Sequence, residues 1–126
     1  MVKIAVLVSG GDTNLQALID AQSRGEIPEG KLSLVVASKP GIYSLERAQK
    51  AGIPAVVLRK KDFDTQEAYD AALIQTLEDA GIGLVVMAGF LTIIGEQVIR
   101  KFENRILNIH PSLIPSFCGE GFYGLR

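Results

Sequence analysis

Five short runs rich in Val, Ile and Leu punctuate the chain at residues 3–8, 32–37, 55–58, 84–87 and 106–109, and none alternates strictly between apolar and polar positions. Runs of this kind suit strands buried on both faces, the condition of a parallel sheet. Between them the apolar positions recur at helical spacing: Leu15, Leu18 and Ile19, then Leu45 and Ala48, then Tyr69, Leu73 and Leu77, and finally Ile94, Val98 and Phe102. The predicted order is therefore β-α-β-α-β-α-β-α-β. Thr13-x-x-Gln16 and Asp64-x-x-Glu67 read as capping boxes, and Gly52 and Gly81 fall where helices should stop. Pro28-Glu29-Gly30 and Lys39-Pro40-Gly41 mark turns. The connections are short, with no internal repeat or low-complexity linker, so the pattern predicts an α/β, doubly wound domain. In such a sheet ligands gather at the carboxyl ends of the strands, where the strand order reverses beside the first strand. That directs attention to residues 9–14, 88–94 and 108–115.

Composition narrows the ligand. With 126 residues, 48% of them hydrophobic and 21% charged, the chain has the profile of one soluble globular domain and excludes a second full one. Thirteen Lys+Arg against fourteen Asp+Glu give a net charge of -1, which leaves no basic excess to neutralise nucleic acid or an anionic membrane. A small-molecule ligand is expected. Cys118 is the only cysteine and His110 the only histidine, so one chain can assemble neither a disulfide framework nor a Cys/His zinc site, and no metal is expected. The apolar run at residues 4–8 is too short for a signal-peptide core and leads into Ser9-Gly10-Gly11-Asp12 instead of a cleavage site. No stretch approaches the roughly 20 apolar residues of a membrane span. A reducing, cytoplasmic setting is expected.

Ser9-Gly10-Gly11-Asp12-Thr13-Asn14 joins the first predicted strand to the first helix. Free backbone N–H groups and the positive end of that helix would make an anion site, with Thr13 and Asn14 adding hydroxyl and amide donors. A tight turn before a capped helix explains the same residues without a ligand. For NAD the spaced third glycine is missing, and the second strand ends in Ala37-Ser38-Lys39 without a ribose-binding carboxylate. A Walker loop is excluded because no Gly-Lys-Ser/Thr follows. A phosphorylated small molecule fits better, although Asp12 adds a negative charge beside the proposed anion.

Asn108 and His110 stand two apart at the end of the last apolar run, so alternation sends both side chains to one face. Pro111 keeps His110 extended. An amide donor beside an imidazole at a carboxyl end can polarise a carbonyl and hold the oxyanion of a tetrahedral intermediate while His110 moves a proton. This suits acyl or formyl transfer. Neither Ser112 nor Cys118 has a second histidine to act as its base, which disfavours a Ser/His or Cys/His nucleophile.

Three segments in order, Ser9-Gly10-Gly11-Asp12-Thr13-Asn14-Leu15-Gln16, Met87-Ala88-Gly89-Phe90-Leu91-Thr92-Ile93-Ile94 and Leu107-Asn108-Ile109-His110-Pro111-Ser112-Leu113-Ile114-Pro115, make the chain similar to the phosphoribosylglycinamide formyltransferase family of purine synthesis. The last segment is specific to folate formyltransferases as a group. The resemblance implies a Rossmann-like, mostly parallel sheet and formyl transfer from 10-formyltetrahydrofolate to the amine of 5-phosphoribosylglycinamide. By the same resemblance Gly10, Gly11, Asp12, Thr13 and Asn14 would lie at the substrate phosphate, and Leu91, Thr92, Ile93 and Ile94 would line the pterin pocket. Asn108 would hold the developing oxyanion and contact the folate, and protonated His110 would act as general acid. Gln66 falls where family members often carry a basic residue near the cofactor. Ordinary packing is the other reading of residues 91–94.

Two departures from the family pattern carry expectations. Asp12 replaces a glycine or another small neutral residue, so a loop needing positive φ there would be strained as well as charged. Family members also continue beyond residues 116–126 with further strands, a long helix and a loop whose Asp completes the catalytic group. The expectation is a single amino-terminal formyltransferase domain over residues 1–126, truncated at the carboxyl end, with transfer impaired and the last strand open to self-association. Formyltetrahydrofolate hydrolase and methionyl-tRNA formyltransferase share the Asn-x-His logic. The balanced charge argues against the tRNA enzyme. Outside the enzymes, the alternative is a phosphoribosyl-ligand-binding module without turnover.

Overall fold

The computed structural model describes residues 2–9, 14–88, 90 and 94–109. Among them the chain runs β1 (Val2–Val8), α1 (Asn14–Ser23), β2 (Gly30–Ala37), α2 (Tyr43–Lys50), β3 (Ala55–Val57), α3 (Gln66–Asp79), β4 (Leu84–Ala88), α4 (Glu96–Lys101) and β5 (Ile106–Ile109), with one 3-10 turn at Lys60–Asp62 before α3. The five strands form one sheet in the order β3-β2-β1-β4-β5. Every described pairing is parallel, as the unalternated apolar runs require. The described sheet is thus wholly parallel.

Each strand feeds side chains to two cores. Ile4, Val6 and Val8 of β1, with Val86 and Ala88 of β4 and Ile109 of β5, pack beneath Leu15, Leu18 and Ile19 of α1 and Ala48 of α2. Ala5 and Leu7 of β1, with Val85 of β4, face Tyr69, Leu73 and Leu77 of α3 and Val98 and Phe102 of α4. The register of β1 on β2 slips once, from Ile4↔Leu32 to Ala5↔Leu34, which leaves Ser33 as an extra residue. That bulge turns Leu32 toward α1 and Leu34 toward α3, although their spacing of two would otherwise place them on one face.

Helix ends follow local chemistry. After α2 and α3 the chain closes the same motif. Gly52 N donates to Gln49 O (3.1 Å) and Ile53 N to Ala48 O (2.9 Å), while Gly81 N donates to Glu78 O (3.0 Å) and Ile82 N to Leu77 O (3.0 Å). Gly52 and Gly81 hold φ of 74° and 69°, the left-handed conformation this motif needs. The start of α3 corrects the expected capping box. Thr65, not Asp64, is the N-cap, and its Oγ1 accepts from Ala68 N at 3.0 Å. Gln16 is engaged outside any such box: its Nε2 donates to Asp20 (2.9 Å) and its Oε1 accepts from Arg47 of α2 (3.0 Å). Thr13, the other member of that box, lies outside the described residues.

Candidate active site

The strand order reverses at β1, which has β2 on one side and β4 on the other. The chain leaving β1 enters α1 over one face, whereas the chain leaving β4 enters α4 over the opposite face. In sheets of this class diverging connections open a crevice at the carboxyl ends of the two strands flanking the reversal, here β1 and β4, and ligands bind there. Around it stand Ser9, buried just past β1; the start of α1 at Asn14; Ala88 and the half-buried Phe90 past β4; and Ile94 ahead of α4. Gly10, Gly11, Asp12, Thr13, Leu91, Thr92, Ile93 and His110 lie outside the described residues, and of Asn14 only the helical backbone is described.

Asn108 lies on β5, paired in register with Met87 of β4, so the neighbouring strand links it to the crevice. Alternation along β5 places it with Ile106 on the α3 and α4 side, opposite Leu107 and Ile109. It is half-buried.

Gln66 is brought to the same end of the molecule through a residue that sequence reasoning missed. Asp70 is 1% exposed. Its Oδ1 accepts from Gln66 Nε2 at 2.7 Å and from the backbone N–H of Gly95 at 3.0 Å. The first turn of α3 is thereby pinned to the entry of α4, one residue past Ile94. A Cβ built on Gly95 would collide with the Asp70 carboxylate, so the close approach requires glycine there. Gln66, expected on the folate side, is thus joined through one buried carboxylate to Gly95, the residue after Ile94. Phe90 and Ile94 also pack against the core beneath α3 and α4, so Ile94 contributes to packing in any case. The only sequence signal for Asp70 was its i,i+4 spacing from Gln66.

Beside Asp70, Tyr69 is fully buried against Phe63, their rings 5.7 Å apart at 77°. Its hydroxyl finds no hydrogen-bond partner among the described residues. Burial, reinforced by the nearby Asp70 charge, pushes the phenol up to about 12. Among the described residues no group of three or more His, Cys, Asp or Glu is placed to hold a metal ion. No described helix is long and apolar enough to cross a membrane.

A wholly parallel, doubly wound sheet, with a crevice at its switch point and an asparagine one strand away, defines a class of α/β ligand-binding domain whose chemistry sits in its loops. Comparison with known proteins specifies the family. The formyl transferase family model matches residues 2–124, and the chain belongs to that family. It is 42% identical over 123 residues to phosphoribosylglycinamide formyltransferase of Haemophilus influenzae, a match covering 98% of this chain and 58% of that protein. It is also 42% identical over 118 residues to the trifunctional purine biosynthetic protein adenosine-3 of Drosophila melanogaster, covering 93% of this chain and 9% of that protein. Among solved structures, glycinamide ribonucleotide transformylase 1 of Symbiobacterium toebii superposes with a TM-score of 0.83 at 40% identity, covering 88% of this chain and 52% of that one. The chain therefore spans little more than half of the single-function relative and of the solved structure, and a far smaller part of the trifunctional protein.

Proposed function

We propose that the crevice serves formyl transfer from 10-formyltetrahydrofolate to the amine of 5-phosphoribosylglycinamide, a step of purine biosynthesis carried out in the cytoplasm. The observation that carries this reading is the 42% identity with the Haemophilus influenzae phosphoribosylglycinamide formyltransferase across 98% of the chain. The switch-point position of the crevice supports it. In this reading residues 10–14 hold the substrate phosphate at the amino end of α1, using backbone N–H groups and the helix dipole. Gln66 and residues 91–94 hold the folate, which supplies the formyl group. Asn108 donates its amide N–H to the formyl oxygen as that oxygen gains negative charge, and His110 supplies a hydrogen bond and a proton. No metal takes part in this scheme.

The test is titration of the chain with 5-phosphoribosylglycinamide, followed through the backbone amides of residues 14–16 and the Asn108 side-chain amide. A formyl-transfer assay with 10-formyltetrahydrofolate accompanies it. Saturable shifts in both places, with transfer that falls about 100-fold in Asn108→Ala, are the expected result. Shifts in neither place would sink the reading. The second reading is a phosphoribosyl-ligand-binding module without turnover. Saturable shifts without transfer would select it.

A further inference from the structure

A second concentration of polar side chains lies on the side of β1 away from β4, just past the carboxyl ends of β2 and β3. A cleft of about 480 Å³ opens there, lined by Ser38, Lys39 and Pro40 from the segment after β2 and by Arg59, Lys60 and Lys61 from the segment after β3. Backbone pairing fixes both segments. Ser38 N donates to Val8 O at 2.9 Å, which ties the first to the end of β1. Leu58 N donates to Ala37 O at 2.9 Å, and the 3-10 turn beyond it closes through Asp62 N on Arg59 O (3.0 Å) and Phe63 N on Lys60 O (3.1 Å).

The charge of this cleft is one-sided. Four of the chain's thirteen Lys and Arg line it, in a protein whose net charge is -1, and no carboxylate is among its lining residues. Arg59 Nε reaches Asp62 only at 3.9 Å, too long for a hydrogen bond. Lys39, Lys60 and Lys61 enter none of the ion pairs among the described residues. Like charges gathered around a concave surface repel one another, and the same concavity focuses their field on an incoming anion. A bound anion turns that repulsion into attraction and stabilises the folded chain.

We infer that this cleft binds a diphosphate or triphosphate chain, held between Ser38 and Lys39 after β2 and Arg59, Lys60 and Lys61 after β3. Charge selects the class: a single phosphate ester brings about two negative charges near neutral pH, whereas a chain of two or three phosphoryl groups brings about three or four against the four cations. The cations come from two separate connections, and a chain of phosphoryl groups can reach both. Arg59 offers a planar fork of donors that suits phosphoryl oxygens, and Ser38 offers a hydroxyl. The place in the fold agrees, since in some doubly wound sheets a basic residue past the second strand accepts a phosphate of a dinucleotide. The glycine spacing for a dinucleotide is missing here, so the phosphoryl chain is the part of such a ligand that the cleft itself can hold. Nucleic acid or an anionic membrane would need a basic surface extending well beyond the cleft, which the net charge of -1 opposes. The inference rests on the cleft alone, not on the substrate reading. Its signals fall on residues 38–39 and 59–61, so either can fail without the other.

The test titrates the chain with sodium triphosphate, at fixed ionic strength and without divalent metal, and follows the backbone amides of Ser38, Lys39, Arg59, Lys60 and Lys61 by NMR. Saturable shifts at these amides, with Ile99 and Arg100 on α4 unmoved, are the expected result. Citrate, whose charges are carboxylates, should bind at least about tenfold more weakly. Arg59→Gln and Lys39→Gln should each weaken triphosphate binding about tenfold, with the dispersed amide spectrum of each variant showing that it folds. Lys31→Gln, the same loss of charge at an exposed site near the amino end of β2, should leave the affinity within about twofold. ATP separates the two sources of such a chain. An affinity no tighter than that of sodium triphosphate assigns the cleft to the phosphoryl groups alone, and one tighter by about tenfold or more assigns it to a nucleoside triphosphate. No saturation at the five amides by about 10 mM triphosphate would overturn the inference. So would citrate binding as tightly as triphosphate, an affinity unchanged in both Arg59→Gln and Lys39→Gln, or an equal loss in Lys31→Gln.

Discussion

A carboxylate removed from water needs donors, and those described for Asp70 are both neutral: the amide of Gln66 and the N–H of Gly95. Asp70→Ala would leave both donors facing a side chain that cannot accept, and urea unfolding should show a loss of about 1–3 kcal/mol. Asp70→Asn, which keeps an acceptor oxygen, should lose less. An equal loss in the two variants would mean that the charge, not the acceptor, holds Gly95. The neighbouring Tyr69 gives a pH signature. Its phenol ionises near 10.0 when free and near 12 in the fold, so the folded state keeps a proton that the unfolded chain sheds between those values. The contribution is intact below pH 10 and is lost as pH rises toward 12. Tyr69→Phe removes a hydroxyl that has no partner among the described residues and should unfold at an equal or higher urea concentration at pH 8. It should also lose less stability than the parent between pH 9 and 11. Tyr69 was legible in the sequence as a core position, four residues before Leu73. Asp70 was not, because its backbone donor lies 25 residues away and arrives only when α3 docks on α4.

At the scale of elements, legibility follows the range of the forces involved. Gly52 and Gly81 stop their helices through contacts within six residues, and they were readable where they stand. The start of α3 shows a finer choice. Asp64 and Thr65 are both good caps, but Thr65 holds the extended φ and ψ of -137° and 160° that set its oxygen against Ala68 N. Thr65→Ala should cost about 1 kcal/mol in thermal or urea unfolding, whereas Asp64→Ala should cost much less. The reverse ranking would restore the cap to Asp64. The bulge at Ser33 lay beyond sequence reasoning altogether. It depends on β1 demanding apolar partners on both faces of β2, and Leu32-Ser33-Leu34 supplies them only by admitting an extra residue. The strands themselves were legible for the opposite reason. Burial on both faces makes them continuous apolar runs, and the predicted limits agree with the observed ones to within two residues.

For the whole molecule, the sheet order that creates the switch point also grades stability outward from it. β1 is paired on both sides, and its residues 4–8 are buried between the two helical layers. β3 has one neighbour, three residues and no buried side chain. The switch point therefore lies beside a strand paired on both sides, while the sequence motifs expected to carry the chemistry fall mainly on the connections that follow the strands. This is why the candidate site was read from residue types and the scaffold from periodicity: loops carry chemistry, and strands carry pattern. Native-state amide exchange should follow the same gradient. Val6 and Leu7 should open only with global unfolding, with an exchange free energy equal to that from urea melts. The inward N–H of Val56, although hydrogen-bonded to β2, should exchange through local opening of β3 and respond far less to urea. If Val56 and Val6 shared one exchange free energy and one urea slope, the sheet would unfold as a single unit. The firm floor of the crevice would then owe nothing to the central place of β1.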